Sequence, residues 1–92
     1  MDYERAIKII IQKQEDTIGM IARQRAKRIE AIDPDGEEVT FTKEPSKEDL
    51  EALMEEFKEI QGQGAVGIAR RSLSEALDDD SDIDLPEEID PR

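Results

Sequence analysis

Gly62-Gln63-Gly64-Ala65-Val66-Gly67 spells G-x-G-x-x-G. In a dinucleotide site such a run follows a strand and opens a helix. Its glycines let the backbone approach a pyrophosphate, and an acid roughly 20 residues on holds the ribose. Here the run follows a segment of helical period that ends at Ile60, and the remaining chain is too short for a second βα unit. The expectation is therefore a glycine turn between two helices. Gly62 is read as the left-handed residue that ends the first, and Gly64 and Gly67 as sites of close backbone approach. A weak anion site at the free N–H groups of the next helix is the lesser alternative.

Other chemistry is thinly supplied. Asp78, Asp80, Asp82 and Asp84 alternate like the first ligands of an EF-hand loop. Counted from Asp78, however, the glycine position holds Ile83 and the bidentate glutamate position holds Ile89. Asp33-Pro34-Asp35-Gly36 offers only two carboxylates and reads as a turn. The sequence has no His and no Cys, which excludes a Ser-His-Asp triad, a Cys-His pair and the usual zinc ligand sets. Ser46 reads as a helix cap, and Ser72 and Ser74 have no base near them in sequence. Raising a carboxylate pKa for acid–base work takes burial in a pocket, and a small domain has little room for one. No catalytic residue, metal, cofactor or small-molecule substrate is expected.

What the residues do offer is adhesion. Arg23, Arg25, Lys27 and Arg28 form a basic cluster that Arg70 and Arg71 could join. Such a cluster can contact phosphate. The net charge of −12 and the lack of aromatics interleaved with basic residues speak against nucleic acid. Pairing within the chain, with the acidic residues 44–59 or the tail, or with a protein, is the preferred reading. Ile9, Ile10 and Ile11 are consecutive, so they point around more than one helix face, and a small monomer buries only one. An apolar patch left outside marks an interface. The expected function is a non-enzymatic interaction or regulatory module that associates with itself or another protein. Ile9, Ile11 and Met20 would supply an apolar contact, and Arg23, Arg25, Lys27 and Arg28 a charged one. The alternative is a nucleic-acid-associated regulator whose acidic tail competes for the same cations.

These residues must be positioned by a chain of 92 residues, enough for one small domain. The longest apolar run is Ile9-Ile10-Ile11, too short for a membrane span. The first residues lack the basic-then-apolar layout of a secretory signal, so a cytoplasmic setting is expected. Residues 1–31 are mildly basic, residues 44–59 acidic, and residues 78–92 hold eight acids and one arginine. Dense like charge disfavours compaction. The reading is a domain over 1–77 and a disordered acidic tail over 78–92. A surface this acidic also resembles that of proteins from salt-loving archaea, in composition only.

The fold class expected is α+β and mainly helical. Residues 2–29 show apolar side chains at helical spacing, with Asp2 as cap, and no proline interrupts them. One continuous or kinked helix is preferred over two helices meeting at Asp16 or Thr17. Residues 28–42 alternate around the Asp33–Gly36 turn and predict a β-hairpin. Ser46 and Asp49 begin a helix over 46–61, and a last helix follows over 65–77. Ile21-Ala22-Arg23 recurs as Ile68-Ala69-Arg70, which reads as two helices with similar packing rather than as a duplication. The expected core is Ile7, Ile10, Ile18, Ile21, Ile29, Val39, Phe41, Leu50, Leu53, Met54, Phe57, Ile60, Val66, Ala69 and Leu73.

Overall fold

A computed structural model describes residues 1–78 and 81–92. The described chain is mainly helical, with four helices and one two-stranded hairpin. Helix α1 spans Tyr3–Ile18, capped by Asp2, whose carboxylate accepts the Arg5 N–H at 2.9 Å. It does not continue to residue 29. Gly19 ends it with φ 75° and ψ −153°, a conformation open to glycine and closed to residues with a Cβ. The Gly19 N–H closes onto the Glu15 carbonyl, and the Gly19 carbonyl receives the Ala22 N–H. Helix α2 then runs over Ile21–Ala26. Asp16 and Thr17 cap nothing: Asp16 accepts from the Gln12 amide and Thr17 donates to the Lys13 carbonyl.

The second pair of helices is joined in the same way. Helix α3, Lys47–Gln61, opens on a reciprocal capping box between Ser46 and Asp49, as expected. Gly62 ends it with φ 58° and ψ −137°. Its N–H meets the Lys58 carbonyl, and its own carbonyl receives the Ala65 N–H as helix α4, Gln63–Ala76, begins. The glycine turn thus stands, with one correction. Gly64 and Gly67 lie inside α4, where a Cβ would meet only Gln61 Cβ at 3.9 Å or open space, so no close approach depends on them. The two Ile-Ala-Arg runs are not equivalent either. One opens α2 and the other lies within α4, though both alanines are buried.

The hairpin is shorter than its alternating pattern suggests. Strand β1 is Ile32–Asp33 and β2 is Thr40–Phe41, antiparallel, with Ile32 opposite Phe41 and Asp33 opposite Thr40. Gly36 has no positive φ, so the turn does not use the freedom expected of it.

The core joins one face of α1 (Ala6, Ile7, Ile10, Ile11) to α3 (Leu50, Leu53, Met54, Phe57) and α4 (Ala65, Val66, Ala69, Leu73). Four expected core residues sit further out: Ile18, Phe41 and Ile60 are half-buried, and Ile21 is exposed. Gln14 is buried among the apolar side chains. Its amide donates to the Ala65 carbonyl at 3.2 Å, and its oxygen accepts from the Gln61 amide, so both ends are satisfied.

The disordered tail expected over 78–92 is not what residues 81–92 show. Ile83, Leu85 and Ile89 are buried against the core, and Glu87–Ile89 form a 3-10 turn. Residues 79 and 80 lie outside the described residues. The physical reason is that composition hides placement. Three apolar side chains among acids have an apolar surface to meet, and cations of the body stand beside the acids. Arg92 gathers the segment by donating to the Ser81 and Ile83 carbonyls and to the Asp90 carboxylate.

Candidate interaction surface

Each member of the basic cluster pairs with a carboxylate of the same chain, Arg23 and Arg25 half-buried and Lys27 and Arg28 at the surface. Arg23, on α2, pairs with Glu15 of α1 and donates to the carbonyls of Pro34, Gly36 and Glu37 at 2.7, 2.7 and 3.0 Å. A planar guanidinium with five donors suits this task, since one side chain satisfies a whole loop. Arg25 pairs with Glu56 and Glu59 of α3 at 3.3 and 2.7 Å, and Arg28 shares Glu56 at 3.2 Å. Lys27 meets Asp35 of the hairpin loop at 3.0 Å, both side chains largely exposed. Arg23 therefore holds the hairpin to the helices, while Arg25 and Arg28 hold α2 to α3. Arg70 is spent on the 81–92 segment, where it donates to the Glu88 carbonyl.

The apolar candidates divide. Ile11 is 1 % exposed and belongs mainly to the core, reaching the surface only as part of a groove wall. Ile9 is half-buried and lines that groove, a depression of about 330 Å³ between α1 and the hairpin loop. Lys8, Gln12 and Lys13 share its α1 wall, Glu37, Glu38 and Val39 form the other, and Arg23 stands where they meet. A second depression continues past Arg23 and Glu37 to Met20, Gln24 and Lys27. Met20 is 75 % exposed and Ile21 37 %. The structure thus places Ile9, Met20, Arg23 and Lys27 along one side, with Ile11 in the core beneath it. Arg25 and Arg28 face elsewhere, toward α3. Lys8 also lies 6.0 Å from the centre of the Phe41 ring, at the outer limit of a cation–π contact.

A second cluster was not among the sequence candidates. Tyr3 donates its O–H to the Asp84 carbonyl at 2.7 Å, and Lys47 reaches both Asp84 carboxylate oxygens at 3.2 Å. Lys58 pairs with Glu88 at 3.0 Å and with Glu55 at 2.9 Å. Burial and the nearby Asp84 charge raise the Tyr3 phenol above its ordinary value. Hydrogen bonding to Asp84 raises Lys47, and hydrogen bonding to Glu55 and Glu88 raises Lys58. Hydrogen bonding to Arg92 lowers Asp90. The only advance signal was the alternation of Ile83, Leu85 and Ile89 with acids, which suits docking on a basic, partly apolar groove.

The hydroxyl of Ser46 caps α3, and that of Ser72 donates to the Ile68 carbonyl at 2.7 Å. No helix among the described residues is long and apolar enough to cross a membrane. No protein-family model, curated protein or solved structure matches the chain.

Proposed function

We propose that this chain is a non-enzymatic interaction module that pairs with a second copy of itself through the groove between α1 and the hairpin loop. A cytoplasmic setting goes with that reading. The observation that carries it is the composition of this groove. Half-buried Ile9 and the adjoining exposed Met20 give apolar surface where a small protein would otherwise present charge. Its walls bear opposite signs, Lys8 and Lys13 on one and Glu37 and Glu38 on the other. A two-fold contact must be complementary to itself. Opposed walls meet that condition, because rotation sets the lysines of one copy against the glutamates of the other. The phosphate-binding alternative is weaker, since Arg23, Arg25, Lys27 and Arg28 would first have to leave their carboxylates.

Sedimentation across a concentration series tests the proposal. Wild type is expected to pass from monomer to dimer, and Ile9→Asp and Met20→Asp to remain monomeric with unchanged helix content. A wild-type chain that stays monomeric at the highest concentration would overturn it.

A further inference from the structure

Residues 81–92 meet the rest of the molecule as a ligand meets a receptor. Ile83, Leu85 and Ile89 are buried, yet among the described residues no backbone-to-backbone hydrogen bond joins 81–92 to residues 1–77. The backbone bonds of the segment are local: Ser81 to Asp78, Ile89 to Pro86, and Asp90 to Pro86 and Glu87. Arg92 closes the segment on itself, and the polar contacts that tie it to the body come from side chains of the body. Tyr3 comes from α1, Lys47 and Lys58 from α3, and Arg70 from α4. A strand woven into a sheet shares a ladder with its neighbours. This segment instead buries three apolar side chains against the core, in the cleft that its own departure would open, and sets its acids against cations at the rim. Peptide grooves recognise their ligands by the same means, with side-chain pockets for anchors and a charged border for register.

We propose that the cleft bordered by Tyr3, Lys47, Lys58 and Arg70 is a binding site for a partner protein's acidic segment with apolar residues at the Ile83, Leu85 and Ile89 spacing, and that residues 81–92 hold it closed in the free chain. The occupant's chemistry is written in the segment already seated there. The arrangement is a competition. An external segment sees the cleft only in the fraction of molecules whose own segment has left, and its apparent affinity falls by that fraction. This surface is separate from the α1 groove, so the two proposals stand or fall independently.

The probe is a fluorescent peptide of the sequence of residues 81–92, titrated into the full-length chain and read by anisotropy. Leu85→Asp removes an anchor of the internal segment without altering the cleft. It is expected to bind the peptide at least about tenfold more tightly than wild type, as the open fraction rises. Adding Lys47→Glu and Lys58→Glu is expected to remove most of that gain. Arg92→Ala, which loosens the segment's own closure, is expected to give a smaller gain in the same direction. It is the deciding variant if Leu85→Asp loses helix content. Three results would overturn the proposal: folded variants that bind no better than wild type, a scrambled peptide that binds equally well, or unfolding of both variants. The last would show the segment to be an inseparable part of the core.

Discussion

Arg23 shows how much of this molecule rests on individual side chains. Its guanidinium spans a carboxylate of α1 and three carbonyls of the hairpin loop, so it sets the shape of the groove edge as well as the position of the hairpin. Arg23→Lys keeps the charge and loses the fork. A loss of about 1–3 kcal/mol in unfolding free energy is expected from denaturant titration. Faster amide exchange should be confined to residues 35–39. Tyr3 allows a second test, because the chain has one tyrosine and no tryptophan, so phenolate absorbance reports that residue alone. Its ionisation is expected at higher pH than that of a free phenol, and at the ordinary value in Leu85→Asp. The sequence announced the charges at 23, 25, 27 and 28 and pointed to the acidic residues 44–59 as partners, which holds for Arg25 and Arg28; it did not show that Arg23 and Lys27 turn to α1 and the hairpin loop. It also could not tell Ile9 from Ile11. Three consecutive isoleucines cover most of a helix's circumference, and only the placement of the hairpin and α4 decides which one stays outside.

Two glycines set the course of the elements. Gly19 and Gly62 each hold a positive φ with an extended ψ, and each lets the chain leave one helix and start another with no loop between. Alanine at either is expected to cost about 1–3 kcal/mol. Alanine at Gly64 or Gly67, inside α4 and clear of neighbours, is expected to stabilise by up to about 1 kcal/mol. Thermal unfolding of the four variants checks this assignment, with a lower midpoint expected for alanine at Gly19 or Gly62 and an equal or higher one at Gly64 or Gly67. The α3 helix was legible because its signals are local: a serine, an acid three residues on and a clear apolar stripe. The break at Gly19 was not. A glycine within a helical pattern is usually tolerated, and its φ is fixed by the packing of α2 on α1 and α3, which no local window contains. The hairpin was legible as a turn but over-long as strands, because Arg23, rather than a β ladder, satisfies the loop carbonyls.

For the molecule as a whole, the surprise is where the acids go. Net charge predicts a repelled tail, and the structure folds residues 81–92 onto Tyr3, Lys47, Lys58 and Arg70. Composition counts charges and cannot see that Ile83, Leu85 and Ile89 are buried against the core. A pH window follows. The Tyr3, Lys47 and Lys58 values are raised on folding, from 10.0, 10.5 and 10.5, so their contribution is complete below those values and is lost as pH rises through the folded ones. Asp90 is lowered from 3.8, so its contribution holds above that value and is lost as pH falls through the folded one. Docking of 81–92 is therefore expected to hold at neutral pH and to loosen at both extremes, as followed by the Ile83 and Leu85 methyl resonances. Self-association carries its own signature. Two copies of a chain of net charge −12 repel at long range, and moderate salt screens that repulsion. The lysine–glutamate contacts of the groove walls act well inside the Debye length and are screened less, so dimerisation should strengthen as salt rises from about 0.01 M toward 0.15 M. The most direct test is a dilution series followed by amide chemical shifts. Pairing through the α1 groove predicts concentration-dependent shifts at Lys8–Lys13, Met20, Ile21 and Glu37–Val39. Spectra that do not change on dilution, or changes gathered on the outer face of α3, would contradict it.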